Sequence, residues 1–120
     1  MKRNSLSVVL ATFNEEKNIK SCLDSVKDIA DEIVIFDESS SDKTREIAIT
    51  LGAKVTKVKH EPIFHITKNK AIDKASCEWI LQLDADERAT PELIGEIEDK
   101  LNSEEGTNGY WIPRKNYFLG

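Results

Sequence analysis

Three carboxylates follow an apolar run in the stretch WILQLDADERATPEL. Residues 79–83 have the composition of a buried strand, and Asp84, Asp86 and Glu87 come where that strand should end. On an extended backbone Asp84 and Asp86 would point the same way, with Ala85 facing opposite. Two carboxylates held close together repel each other unless a proton or a cation lies between them. A hard divalent ion, Mg²⁺ or Mn²⁺, with coordination positions left for phosphate, would satisfy both.

A D-x-D pair is common in proteins, so the pattern leaves a structural interpretation open. In that interpretation the acids are a polar strand end and the helix-capping acids of the next element. Thr90 is the predicted N-cap of that helix and Pro91 its first-turn residue. Which interpretation applies depends on the other polar residues that the fold brings to the same place.

Strand and helix signals alternate along the chain. Five segments predict strands: LSVVLATF, EIVIFD, AKVTKVK, EWILQLD and YWIP. The lysines that alternate with valines in AKVTKVK indicate an exposed edge strand. Apolar residues at helical spacing predict helices between the strands. This alternation predicts an α/β fold with a Rossmann-like, mostly parallel sheet flanked by helices.

The ends of the helices are predicted from capping residues and from glycine. Gly52 should end the second helix. The segment HEPIFHI is predicted to be a loop that precedes a short helix ending near Ala75, and NSEEGTNG is predicted to be a polar turn. The predicted N-caps are Asn14, either Ser41 or Asp42, Thr67 and Thr90.

Polar residues stand at the carboxyl end of three predicted strands. Parallel strands bring their carboxyl ends to one edge of the sheet, where ligands of open α/β sheets bind. The sequence therefore predicts one polar crevice built from segments far apart in the chain. Its candidate residues are Thr12 and Asn14 after the first strand, Asp37, Ser39 and Ser40 after the second, and Asp84, Asp86 and Glu87 after the fourth.

Composition excludes several classes of protein. The chain has 120 residues and a net charge of −5, which suits a single domain and argues against nucleic-acid binding. Its longest apolar run is far shorter than the roughly 20 residues of a membrane span. The spacing of His60 and His65 fits no common metal site. Cys22 and Cys77 suit a reducing compartment, so we expect a cytoplasmic location, with the inner face of the membrane as the alternative for the full-length protein.

Four motifs in this order and spacing resemble the first half of the family 2 glycosyltransferases of the GT-A fold. The motifs are SVVLATFNEEKNI, EIVIFDESSSDKT, KNKAIDKA and WILQLDADE. The later segment GYWIPRKNYFLG is most similar to the branch of lipopolysaccharide core β-1,4-glucosyltransferases. The resemblance covers nearly the whole chain. It implies that residues 1–120 are the nucleotide-sugar-binding part of a GT-A domain, truncated at the C-terminus.

The resemblance places a nucleoside at the ends of the first two strands. Thr12, Asn14 and Glu15 would lie around it, and Asp37 would receive the uracil ring. After Asp37 the family more often has D-G-S-x-D, whereas this chain has ESSSD, so Glu38 and Ser39 replace the usual Asp and Gly.

The resemblance places the diphosphate and the metal beside the later motifs. Lys68 stands where the family usually has Arg, next to Asn69, and keeps the charge without the planar fork of a guanidinium. Asp84 would approach the ribose and the metal, and Asp86 would bind the Mn²⁺ or Mg²⁺ ion that bridges the diphosphate.

The implied reaction is inverting transfer of a sugar from a UDP-sugar donor, with UDP-glucose as the candidate, to a glycan or lipid-linked acceptor. A carboxylate base must take the proton of the acceptor hydroxyl. The resemblance places that base beyond Gly120, and Glu87 is the alternative within the chain.

Two non-enzymatic interpretations remain open at this point. A phosphoacceptor receiver has a similar length and fold, but it needs paired acids after the first strand, where this chain has Thr12 and Asn14. A binding or dimerisation domain would use the aromatic segment YWIPRKNYFLG as the interface of a homodimer.

Overall fold

The computed structural model describes residues 4–61, 63–102 and 109–111, which form five strands and four helices. The strands are β1 (Leu6–Thr12), β2 (Glu32–Asp37), β3 (Lys54–Lys57), β4 (Trp79–Gln82) and β5 (Gly109–Trp111). The helices are α1 (Ile19–Asp24), α2 (Thr44–Thr50), α3 (Phe64–Lys74) and α4 (Pro91–Leu101). The alternation of strands and helices confirms the predicted α/β class.

The five strands form one parallel sheet in the order β3-β2-β1-β4-β5. The chain moves outward from β1 to β3, then returns across the sheet through α3 to place β4 on the other side of β1. The order therefore reverses between β1 and β4, and such a switch point is where open α/β sheets bind ligands. The lysine-rich strand β3 lies at an edge of the sheet, as its sequence predicts.

The central strand β1 is buried along its whole length, as expected for a parallel strand covered on both faces. Alternate residues of β1 face two different apolar clusters. Leu6, Val8 and Leu10 belong to the larger cluster, which contains buried residues of α1, α2 and α4. Val9 belongs to the smaller cluster, where it packs with Val34 and with Ala71 of α3. The two faces together hold the strand ends in fixed positions.

The helix boundaries near Thr90, Asp42 and Gly52 confirm the corresponding sequence signals. The Thr90 hydroxyl accepts a hydrogen bond from the Leu93 amide at 3.1 Å, directly before the first-turn proline of α4. The Asp42 carboxylate accepts from the Thr44 amide at 3.0 Å, one residue before the geometric cap of α2. Gly52 follows α2 with a φ of +93°, a conformation that glycine adopts without steric cost.

Two predicted caps, Asn14 and Thr67, are wrong. The helix after β1 begins at Ile19 rather than at Asn14, whose side chain instead accepts a hydrogen bond from the Ser41 amide at 2.8 Å. The predicted loop HEPIFHI is partly helical, since α3 begins at Phe64. Thr67 therefore lies inside α3, fully buried, with a hydroxyl that makes no hydrogen bond within the described part of the chain.

Some predictions fall on residues that the structure does not describe. The predicted turn at residues 103–108, the tail at 112–120 and the side chains proposed as a homodimer interface lie outside the described part of the chain. Only the backbone of the aromatic segment is described where it forms β5, which confirms the fifth strand. In the described ranges, none of the four helices has the length and apolar character needed to cross a membrane.

Candidate functional site

The carboxyl ends of β1, β2 and β4 bring three predicted site residues to one edge of the sheet. Thr12 and Asp37 are paired in register as the last residues of β1 and β2. The Leu83 amide donates to the Val9 carbonyl at 3.1 Å, which continues the β1–β4 pairing up to Asp84. The three strand ends therefore lie side by side at the point where the strand order reverses.

Asp37 is the centre of a buried hydrogen-bond network. Its Oδ1 accepts from the hydroxyls of Thr12 at 2.7 Å and Ser40 at 2.6 Å. Its Oδ2 accepts from the Ser40 amide and from Arg45 Nη1, both at 2.8 Å. Burial disfavours the charged carboxylate, but these bonds outweigh it and hold the pKa of Asp37 below its usual range. The Asp37 carboxylate is thus ionised, fully buried and satisfied on both oxygens.

Arg45 was not found by sequence reasoning. It lies on α2, one helical turn after the DESSSD motif, and also donates to the Ser40 carbonyl at 3.0 Å. Only its position in the first turn of a helix next to an acidic strand end could have indicated this role. The pair ties α2 to the end of β2 and fixes the turn between them.

Asn14 and Glu15 connect the end of β1 to the same turn. Asn14 adopts a φ of +52°, and its amide donates to the Ser40 hydroxyl at 2.8 Å. The Glu15 amide donates to the Thr44 hydroxyl at 2.8 Å, and its carboxylate accepts from the Asn18 side chain at 3.0 Å. The loops after β1 and β2 are therefore one hydrogen-bonded unit that contains Thr12, Asn14, Glu15 and Asp37.

Asp84 to Glu87 form a turn rather than the extended segment that the spacing suggested. The Glu87 amide donates to the Asp84 carbonyl at 2.9 Å, and the Glu87 carboxylate accepts from the Asp84 amide at 2.9 Å. Ala85 is buried, whereas Asp86 is exposed. The thiol of Cys22, on α1, donates to the Asp84 carbonyl with a sulfur–oxygen distance of 3.6 Å. The second and third acids of this acidic turn, residues 84–87, thus differ: Asp86 faces solvent, and Glu87 stabilises the turn.

Lys68 reaches the acidic turn from α3. Its Nζ lies 2.7 Å from Asp84 Oδ1, with the lysine side chain 23% exposed and the aspartate side chain 45% exposed. Asn69, the next residue of α3, is exposed. The structure therefore brings Lys68 and Asp84 into contact, as expected of residues that share one site. Their roles toward a ligand stay predictions.

The donor set of the acidic turn decides whether a divalent ion fits. In residues 4–61, 63–102 and 109–111, no three His, Cys, Asp or Glu side chains are grouped to hold a metal ion. Asp84 and Asp86 supply hard carboxylate oxygens at a solvent-open position, which suits Mg²⁺ or Mn²⁺. Such an ion would take its remaining ligands from water and phosphate, as Mg²⁺ commonly does at nucleotide sites.

A second acid next to Asp37 makes contacts that the sequence did not indicate. Glu38 is fully buried, and its Oε1 lies 2.8 Å from Nδ1 of His60 and accepts from the Glu61 amide at 3.3 Å. Its Oε2 is buried without a hydrogen bond within the described ranges. The rings of His60 and Phe13 contact each other with centroids 4.5 Å apart. This group extends the polar edge from β1 and β2 to the segment after β3.

Comparisons with known proteins agree with this geometry. The sequence matches glycosyl transferase family 2 over residues 7–118. It is 40% identical over 95 residues to an uncharacterized glycosyltransferase of Rickettsia typhi, an alignment that covers 78% of this chain and 32% of that protein. The chain thus spans about a third of the length of that relative.

Two solved structures have a similar fold. One is glucosyl-3-phosphoglycerate synthase from Mycobacterium tuberculosis in complex with Mn²⁺ and UDP-glucose, with a TM-score of 0.68 and 27% identity. That alignment covers 86% of this chain and 41% of the synthase. The other is TarS of S. aureus in complex with UDP, with a TM-score of 0.67 and 27% identity over 79% of this chain and 31% of TarS.

Proposed function

Because the chain belongs to glycosyl transferase family 2, we propose that it forms the donor site of an inverting, metal-dependent transferase that uses a UDP-sugar. The observation that carries this proposal is the solvent-open acidic turn beside Lys68, at the switch point of the sheet. The complexes of the two structural neighbours, one with Mn²⁺ and UDP-glucose and the other with UDP, support the same donor class and a divalent ion.

Asp84 and Asp86 would hold the divalent ion against the diphosphate of the donor. When bound, that ion neutralises the negative charge that develops on the leaving diphosphate. Lys68 supplies a further positive charge at the same place, and its flexible ammonium group suits a phosphate oxygen. These three side chains bind and orient the donor. The Glu87 carboxylate accepts a hydrogen bond from the Asp84 amide and so stabilises the turn that carries Asp84 and Asp86.

The loops after β1 and β2 would receive the nucleoside. Thr12, Asn14 and Glu15 lie around this position in the proposal, and Asp37 faces the uracil ring. Both oxygens of Asp37 already accept two hydrogen bonds each, so direct contact with a uracil N–H requires one of these donors to be released. Asp37 therefore contributes first by fixing the shape of the loops.

The acceptor side of the reaction is proposed from the resemblance alone. We assign glucose as the donor sugar and a glycan or lipid-linked acceptor of the lipopolysaccharide core type. The reaction is proposed to take place in the cytoplasm, since Cys22 and Cys77 suit a reducing compartment. The base that takes the acceptor proton is assigned to a carboxylate beyond Gly120. The family match leaves no reason to retain the phosphoacceptor interpretation.

Calorimetric binding of UDP to the chain, with and without Mn²⁺, tests the donor site. We expect UDP binding that depends on Mn²⁺ and weakens at least about tenfold in Asp86→Asn, which corresponds to about 1.4 kcal/mol. Asp99→Asn, an exposed acid on α4, is the matched control and should bind as the wild type does. Far-UV circular dichroism confirms that each variant is folded. UDP binding of equal strength without metal, or unchanged in Asp86→Asn, would refute the metal-dependent donor site.

A further inference from the structure

The Lys68–Asp84 ion pair occupies the carboxylate that the donor site needs for its metal. Lys68 Nζ lies 2.7 Å from Oδ1 of Asp84, a distance typical of a strong charge-assisted hydrogen bond. The lysine side chain is largely covered, which reduces the screening of its charge by solvent. Asp84 thus already has a close positive partner supplied by the chain itself.

A divalent ion and an ammonium group cannot share this carboxylate without repelling each other. A metal ion at coordination distance from Asp84 would lie within a few ångströms of Lys68 Nζ, and two positive charges at that separation interact unfavourably. While Asp84 stays paired with Lys68, Asp86 is the remaining carboxylate proposed for the ion. An anion placed between the two cations removes the repulsion, because it can be bound by both at once.

We infer that Lys68 and the divalent ion compete for Asp84, and that the diphosphate of the donor ends the competition by taking Lys68 as its own partner. This inference rests on the proposed function, since it concerns the same metal and the same diphosphate. Its consequence is cooperativity: metal alone binds weakly, nucleotide alone binds weakly, and each strengthens the binding of the other by the same factor.

The fold allows Lys68 to change partner without moving α3. The helix is fixed by Ala71, which is fully buried against Val9 and Val34, so its backbone position is set by the sheet. The lysine side chain has four rotatable carbon bonds and three donor hydrogens, and it can turn from a carboxylate to a phosphate at little cost. Such a change would not be available to a guanidinium held in a two-point contact.

Lys70 provides a matched control on the same helix. Its Nζ lies 3.7 Å from Glu61, and its side chain is 46% exposed. Replacing either lysine with Met removes one positive charge from α3 and keeps a side chain of similar length. Only Lys68→Met removes the cation that contacts Asp84, so a difference between the two variants isolates the contact from the general effect of charge.

The first experiment measures Mn²⁺ binding without nucleotide by electron paramagnetic resonance of the unbound ion. We expect Lys68→Met to bind Mn²⁺ at least about fivefold more tightly than the wild type, the lower end of typical coupling between two ligands. Lys70→Met should match the wild type. Unchanged or weaker Mn²⁺ binding in Lys68→Met would overturn the inference, because a competitor has been removed without effect.

The second experiment measures UDP binding at a fixed, saturating Mn²⁺ concentration by calorimetry. Lys68→Met should bind UDP at least about fivefold more weakly, since the diphosphate has lost a cation. Opposite signs in the two experiments support the inference, whereas weakening in both would show that Lys68 only stabilises the site. Wild-type chain that binds Mn²⁺ but no UDP would refute the proposed function, while the Mn²⁺ comparison would still decide whether Lys68 competes.

Discussion

At the amino end of the sheet, the carboxylate of Glu32 is enclosed by partners, whereas at the carboxyl end Asp86 of the acidic turn is exposed. Glu32 accepts from the Ser7 hydroxyl at 2.5 Å and from the Ser76 amide at 2.7 Å, and it pairs with Lys54 at 3.0 Å. Its side chain is 8% exposed. Asp84, two residues before Asp86, has a side chain that is 45% exposed and is paired with Lys68.

The contrast between these two sites separates structural acids at strand ends from acids that remain available to a ligand. Glu32 contacts β1, β3 and the segment before β4 from its place on β2. Its negative charge is therefore compensated by groups of the chain itself. The acidic turn keeps its charge available, although Glu87 and Cys22 fix its backbone. Asp37 complicates the division, because it lies at the carboxyl end yet is as enclosed as Glu32. Three substitutions test this division.

Asp37→Asn should have the largest effect on stability. The amide has one acceptor oxygen in place of two and no charge, so Arg45 loses its counter-ion and part of the network of four hydrogen bonds is lost. We expect a loss of about 3 kcal/mol in the free energy of unfolding, measured with urea at pH 7. Asp99→Asn on α4 is the control and should change little. A loss below about 0.5 kcal/mol would place Asp37 with the available acids rather than with Glu32.

Glu32→Gln should have a smaller effect that depends on pH. Burial disfavours the charge of Glu32, but hydrogen bonds from Ser7, Ser76 and Lys54 outweigh it and lower its pKa from 4.5 to about 2. A lowered pKa in the folded state stabilises the protein above pH 4.5, and this stabilisation is lost as the pH falls from there towards 2. We expect Gln to cost about 2 kcal/mol at pH 7.

The pH dependence provides the check on that substitution. The difference in unfolding free energy between wild type and Glu32→Gln should shrink as urea titrations are repeated from pH 6 to pH 3, from about 2 kcal/mol to less than half of that value. Glu96→Gln, an exposed acid on α4, should show no such trend. A difference independent of pH would mean that shape rather than charge carries the role of Glu32. UDP binding should be unchanged in Glu32→Gln.

Asp86→Asn should have the smallest effect on stability. Its side chain is exposed, so we expect the unfolding free energy to change by no more than about 0.5 kcal/mol, although the same variant should lose UDP binding. Thermal unfolding without metal measures this directly. A large loss of stability would contradict the division between structural and available acids, since Asp86 of the exposed acidic turn would then be structural.

The fold could be predicted because its signals are local. The strand segments, the Thr90 cap and the glycine after α2 each depend on residues within a few positions, and each is confirmed. The predicted caps at Asn14 and Thr67 are wrong, since α1 begins only at Ile19 and α3 already begins at Phe64. Asn14 binds Ser41, which is 27 residues along the chain, and no local pattern indicates that contact.

The position of the site could be predicted from the sequence, but its side-chain contacts could not. Parallel strands and polar strand ends were enough to gather Thr12, Asp37 and Asp84 at one edge. The turn geometry of residues 84–87, the Arg45 contact and the Glu38–His60 pair depend on side-chain packing between elements. The enclosure of Glu32 also escaped prediction, because its partners are 22 to 44 residues distant.

The buried thiol of Cys22 gives the acidic turn a chemical property of its own. Burial, and then the negative charges of Glu87, Asp84 and Asp86 against the opposing Arg88, raise the pKa of Cys22 to about 12. The thiolate, which is the form that reacts with oxidants and alkylating agents, is therefore almost absent at neutral pH. The sulfur next to the site is therefore a poor nucleophile at neutral pH, and its hydrogen bond to the Asp84 carbonyl gives it a structural role under the acidic turn.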